Sequence, residues 1–269
     1  MRSFTLISKV ALLLIVAFTI ESCSKVPITG RRQFNLLPES QLMGMSFQQY
    51  TDVLNQSNTL PQGDPRVEMV RKVGENIAKA AQKYLEQNHQ TKRTKGFEWE
   101  FNVIDENIVN AWCMPGGKVA FYTGILPITE TEAGIAVVMG HEVAHAIARH
   151  GNERMSQQLA IQLGGIGLSK ALEEKPDAVK NIFLSSYGVG SQLGSLKYSR
   201  NHESESDKMG LIFMAMAGYN PEEAIKFWER MSQVGGQQPP EFMSTHPSNE
   251  TRISDLQAFM DEAMGYYKK

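Results

Sequence analysis

Hydrophobic and polar residues follow two rhythms along this chain, and the change between them marks its organisation. From Arg66 to Gln87, Val67, Val70, Val73, Ile77 and Ala80 return every three to four positions, which predicts a long amphipathic helix. Residues 39–54 read as a shorter helix before it, separated by the loop "NQSNTLPQGDP" (55–65). Beyond the polar loop "QNHQTKRTKG", where His89 reads as a solvated surface residue, the period drops to two. "FEWEFNVID" (97–105) alternates aromatic and polar positions, as a half-buried strand does. "NAWCM" and "KVAFYTGIL" follow across Pro115-Gly116-Gly117 and read as two strands around a tight turn, so a small antiparallel sheet is expected. After it the pattern is almost wholly helical, with glycine-rich interruptions at 164–167 and 187–194. Strands first and helices afterwards predict an α+β domain.

Composition adds little to this picture and removes some functions from it. The 269 residues are 42% hydrophobic and 21% charged, enough apolar material for the core of one sizeable domain. A net charge of −2 gives no basic footprint for nucleic acid.

The N-terminus stands apart. "MRSFTLISKVALLLIVAFTIESCSK" has a basic start (Arg2, Lys9), an apolar run from Val10 to Ile20 that is short for a membrane span, and then Ser22-Cys23. This resembles a bacterial lipobox, with Glu21 as its one departure. It implies a signal peptide over residues 1–22, cleavage before Cys23 and a lipid on Cys23; an ordinary secretory signal is the other reading. Residues 23–60 then comprise the lipidated Cys, a tether broken by Pro and Gly, and an N-terminal arm, and 61–269 the main domain. Ser24 after the lipidated residue points to the outer membrane. With Cys23 modified, Cys113 is the only thiol left, so no internal disulfide is possible.

Candidate chemistry is concentrated in "VVMGHEVAHAIARHG" (137–151). Thr129 and Glu132 form a capping-box pattern, which places a helix start near Glu130. On that helix His141 and His145 share one face a turn apart, and Glu142 is rotated about 100° from His141. In the H-E-x-x-H arrangement two imidazoles bind zinc and the glutamate takes a proton from the attacking water. Burying these groups without such a use costs several kcal/mol unless each finds a partner. A metzincin-type continuation would need Gly at 148 and His at 151, where this chain has Ala148 and Gly151. His150 reads as a helix C-terminal residue favoured by the dipole, with Gly151 as the stop, and not as a ligand.

A third ligand is expected from "SRNHESESDKMG" (199–210). Glu203 and Asp207 are four apart and share a helix face, while Glu205 points nearly the opposite way. One carboxylate could bind zinc while the other hydrogen-bonds the outer nitrogen of a zinc-bound imidazole. A solvated acidic face and the rival ligand His202 are the alternatives. "GHEVAHAIARH", "SRNHESESDKMG" and "THPSNETRI" together resemble the gluzincin metallopeptidase family of the CAAX prenyl endopeptidases, HtpX-type and Oma-type proteases, and its single-domain bacterial lipoprotein members most of all. The similarity runs from about Val26 to about Leu256.

The resemblance implies a mainly helical zincin-type domain whose small antiparallel sheet packs on the HExxH helix. It implies one zinc ion per chain on His141, His145 and Glu203, with Glu142 as base and Asp207 behind a ligand; Ser206 stands where the family usually has Ala. It places His246-Pro247 and Arg252 near the site, binding substrate or stabilising the oxyanion, or with His246 covering the metal in a closed state. Asn110 and Ala111 match the edge strand along which an extended peptide would lie. The implied activity is a zinc metalloendopeptidase acting on unfolded or misassembled envelope proteins, held to the membrane by its lipid. A chaperone-like or binding lipoprotein with latent or little proteolytic activity is the alternative. Residues 152–195 are read either as a mobile flap, or a surface facing a membrane or partner, or as ordinary core.

Overall fold

The computed structural model describes residues 23–162, 168–189, 199–234, 241–246 and 251–267. The expected signal peptide, residues 164–167 and 190–194 of the glycine-rich stretches, and Pro247 lie outside the described residues. A short hairpin opens the chain, β1 (Cys23–Lys25) against β2 (Arg32–Phe34). Two helices follow, α1 (Glu39–Gln56) and α2 (Pro65–Gln87). The five apolar residues that predicted α2 are all buried.

The three strands fall where the period-two pattern put them: β3 (Glu100–Ile104), β4 (Ala111–Met114) and β5 (Lys118–Tyr122). Their pairing corrects one expectation. The sheet is mixed, in the order β3-β5-β4, with β5 antiparallel to β4 but parallel to β3. Residues 105–110 carry the chain past the middle position to the far edge, and the tight turn then returns β5 into the gap. Alternation identifies strands and their faces but not which neighbour each will meet. Gly116 and Gly117 hold φ of 83° and 84° at that turn, and a Cβ on either would strike the ring of Phe47 or Trp99.

The sheet separates two cores. Ala111, Cys113, Val119 and Phe121 face one core with α2 and the HExxH helix. Their alternates Trp112, Met114, Ala120 and Tyr122 face a second, which takes Leu42 and Tyr50 from α1. That second core also holds Met155, Leu159, Ala171, Val179, Ile182, Phe183 and Tyr187. These come from the helices and turn after the histidine motif: α5 (His150–Gln162), α6 (Leu168–Glu174), α7 (Pro176–Ser186) and Tyr187 just beyond. The described part of 152–195 thus lends one apolar face to this core, in line with the plainer reading, while Ile161 and Leu172 stay exposed.

Short α3 (Leu126–Thr129) leads into α4 (Glu132–Ala148), which carries the histidine motif. Its N-cap is Thr131, whose Oγ1 accepts from Gly134 N at 3.1 Å; Thr129 bonds back to Leu126 O and ends α3. The expected start near Glu130 is thus early, because Glu130 itself breaks the chain with φ 59°. At the other end Gly151 is not the stop. Arg149 turns the chain in the left-handed region at φ 62°, and α5 begins at His150 and runs through Gly151 against the Tyr187 ring. The last turn of α4 is satisfied from outside: Arg93 donates to Ile147 O at 3.3 Å and Gln33 to Ala148 O. Helices α8 (Arg200–Met216), α9 (Glu223–Gln233), α10 (Glu241–Thr245) and α11 (Arg252–Met264) complete the described fold. Among the described residues no helix is long and apolar enough to cross a membrane.

Candidate metal centre

Helix α4 is buried from Gly134 to Ala148, so His141, Glu142 and His145 sit in the interior and not on a wet face. Helix α8 crosses it, capped by Ser199 Oγ, which accepts from His202 N at 3.2 Å. Glu203 lies in the first turn of α8, where the helix dipole favours a carboxylate. A third element, α10 with the residue after it, delivers His246.

These four side chains converge. His141 Nε2 lies 3.0 Å from His145 Nε2 and 3.1 Å from His246 Nδ1. Glu203 Oε1 lies 3.2 Å from His246 Nδ1 and 3.4 Å from His145 Nε2, and Glu203 Oε2 is 3.5 Å from His141 Nε2. All four donor atoms fall within 4.8 Å of one another, and all four residues are buried. Four ligands held about 2.0–2.1 Å from a tetrahedral ion stand about 3.3 Å apart, so the observed separations fit zinc.

The protons support the same reading. His141 Nδ1 faces the Asp207 carboxylate at 2.9 Å and donates to it, which directs its Nε2 at the other donors, where a metal ion would replace a proton. Burial alone would lower His141, but Asp207 and Glu203 outweigh it and raise it to about 9. Burial drives His145 well below its usual value and His246 down to about 4. Glu203 is pushed up by burial, yet His246, His141 and His145 hold it well below the carboxylate range. An ionised carboxylate among converging imidazoles calls for a positive charge at the centre, and a divalent cation supplies it.

Glu142 is placed beside the cluster and not in it. Its Oε1 is buried, 3.4 Å from His246 Nε2, and has no hydrogen-bond partner among the described residues. Burial, with His141 and Arg252 opposing it, pushes its carboxyl up to about 8. Arg252 bridges Glu203 and Asp207 of α8, with Nη1 3.1 Å from Glu203 Oε2 and Nη2 2.6 Å from Asp207 Oδ1. Its guanidinium lies 3.5 Å from the centre of the Trp228 ring. In this structure Arg252 clamps carboxylates and stacks on an aromatic face.

Asn110 and Ala111 are both buried, Asn110 Oδ1 accepting from Ala111 N at 2.9 Å. Phe242 N donates to Val109 O at 2.9 Å, so α10 lies against the start of the expected substrate strand while His246 enters the cluster. Phe242 itself stacks on His246 with ring centres 4.6 Å apart. Cys23 is the first described residue, opposite Phe34 in the hairpin. The rival ligand His202 is not brought to the cluster; it bonds Glu153 at 3.0 Å and stacks on His150.

Spacing concealed His150. It is fully buried and reaches His145 Nδ1 at 2.9 Å and Glu205 Oε2 at 3.0 Å. On a continuous helix five residues rotate a side chain about 140° away, but the left-handed turn at Arg149 brings it back. No sequence signal marks that turn.

The sequence pattern of peptidase family M48 matches residues 70–260. The mitochondrial metalloendopeptidase OMA1 of Saccharomyces cerevisiae is 30% identical over 255 residues, covering 91% of this chain and 71% of that protein. The Arabidopsis thaliana protein of the same name is 35% identical over 195 residues, covering 72% of this chain and 38% of the plant protein. A beta-barrel assembly-enhancing protease of Yersinia pestis is 26% identical over 166 residues, covering 58% of this chain and 33% of its own length. The chain thus spans well under half of the plant and Yersinia relatives.

Proposed function

The chain belongs to peptidase family M48 and is a metallopeptidase of that family; we propose that it is a zinc-dependent endopeptidase of the bacterial cell envelope, acting on unfolded or misassembled proteins. The observation that carries this reading is the convergence of His141, His145 and Glu203 within 3.0–3.5 Å, with Glu142 buried alongside. His141, His145 and Glu203 would hold a zinc ion, which would supply Lewis-acid polarisation of a carbonyl and a water nucleophile usable near neutral pH. Glu142 takes a proton from the attacking water and returns it to the leaving amine. Asp207 keeps the His141 proton on Nδ1, and Arg252 holds Glu203 and Asp207 in place.

Substrate class follows from the edge strand. Backbone pairing along Asn110 and Ala111 selects extended chain over sequence, which suits unfolded protein. A lipid on Cys23 would keep the domain at the membrane, the outer membrane by the Ser24 rule. The Yersinia relative named for barrel assembly supports an envelope setting.

One observation favours a latent form of this enzyme. His246 stands as a fourth donor, and α10 is bonded to the start of the substrate strand through Phe242. This supports a closed arrangement in which His246 would cover the metal, and cleavage would then require α10 and His246 to move aside. The test is hydrolysis of casein by the full chain in detergent, with and without a zinc chelator. Cleavage that stops with chelator and returns with added zinc is expected. Zinc-independent cleavage would overturn the proposal.

A further inference from the structure

The two imidazoles of the motif are backed differently. His141 Nδ1 rests on Asp207, which Arg252 holds. His145 Nδ1 rests on another imidazole, His150, at 2.9 Å, which in turn faces Glu205 Oε2 at 3.0 Å. Glu205 accepts from Arg31 through Nε at 2.9 Å and Nη2 at 3.0 Å, and from Thr29 Oγ1 at 2.8 Å. We infer that His150, Glu205 and Arg31 are a positioning relay that fixes the protonation pattern of His145, the counterpart of Asp207 and Arg252 behind His141. The inference rests on the metal reading proposed above.

Hydrogen-bond polarity decides how the relay works. A carboxylate paired with a guanidinium only accepts, so His150 Nε2 carries the proton between it and Glu205. His150 Nδ1 is then a lone pair. It accepts from His145 Nδ1, with Ser206 Oγ also in reach at 3.3 Å. His145 therefore carries its proton on Nδ1 and presents a bare Nε2 to the cluster, the form a metal requires. Reversing the sequence at Glu205 would put a proton on His145 Nε2 and block it.

The cluster behind His150 is not a second cation site. Arg31 forks onto both buried carboxylates, reaching Glu153 at 2.8 and 2.9 Å, and its guanidinium supplies the positive charge there. The hairpin sets that guanidinium in place: Arg31 directly precedes β2, and Gln33 of β2 binds the end of α4. An arm at the start of the chain thus reaches a metal ligand through three side chains.

Glu205→Gln tests the relay without changing its shape. Arginine can only donate, so the amide must turn its oxygen to Arg31 and its NH2 to His150, which reverses every later bond. In the full chain, zinc affinity measured by chelator competition should fall about 10–100-fold, the usual cost of losing such a partner. The visible spectrum of the cobalt(II)-substituted protein should change with it, while the metal-free protein stays folded with a lower melting temperature. His150→Phe should lower affinity similarly. Should Glu205→Gln not fold, His150→Phe carries the test, since it removes the acceptor of the His145 Nδ1 proton and leaves Glu205 paired with Arg31. Unchanged affinity and cobalt spectrum in the folded variant would overturn the relay, as would a fall in melting temperature alone. A wild-type chain that takes up no zinc would instead overturn the metal reading, and the relay with it.

Discussion

Gly140 and Gly210 meet backbone to backbone where the two metal-binding helices cross. A methyl group on Gly140 would stand 2.9 Å from Gly210 O, and one on Gly210 would stand 3.0 Å from His141 N. The contact lies directly beside the first histidine of the motif and one turn past Asp207. It sets how closely α8 can bring Glu203 and Asp207 to α4.

Replacing Gly210 with Ala forces the helices apart. In an open helix this exchange would gain up to about 1 kcal/mol. Here overpacking should instead cost about 1–3 kcal/mol, and zinc binding should weaken because Asp207 and Glu203 move together away from His141. Denaturant unfolding and zinc competition on the same variant check both parts. Unaltered stability and affinity would show that the crossing has slack.

Much of this centre was legible in the chain, because helical spacing is a local rule. His141 and His145 four apart, and Glu203 and Asp207 four apart, define two faces whatever lies between them. The family resemblance added that these faces meet. What escaped was non-local or hung on a single backbone angle. Arg31 and Glu205 are 174 positions apart, and no periodicity connects them. His150 looked misplaced until Arg149 was seen to turn the chain, and Gly151 looked like a stop although the turn had already happened. The parallel pairing of β3 with β5 was hidden for a related reason: alternation encodes faces, not partners.

On the proposed closed reading His246 caps the metal site, so His246→Ala should raise activity. A closed state populated about 90% of the time withholds about tenfold of the available rate. The variant should retain zinc, since His141, His145 and Glu203 remain, and cleave casein about that much faster. Casein turnover and zinc content measured together decide it. Loss of turnover with zinc retained would instead assign His246 to substrate or oxyanion binding.

Acid should weaken the fold through the carboxylates around Arg31. Burial raises both, but His150, Arg31 and Thr29 bring Glu205 down to about 2, and His202 and Arg31 hold Glu153 well below its usual range. A carboxylate depressed in the folded state contributes stability that is full above its unfolded value and is lost as pH falls through the folded one. Stability of the metal-stripped chain should therefore decline between about pH 4.5 and 2. In Glu205→Gln it should start lower at pH 6 and decline less steeply. Thermal midpoints across that range, with chelator present, test the sign. A parallel curve for the variant would remove Glu205 from the account.

The most direct measurement compares the full chain with Glu142→Gln, recording zinc content and casein cleavage side by side. Glu142 touches the reacting water and holds no metal in this account. The variant should therefore bind zinc as the wild type does and lose about 10²–10⁴-fold in turnover. Undiminished cleavage by Glu142→Gln, or its failure to hold zinc, would contradict the assignment of Glu142 as the base of a zinc peptidase.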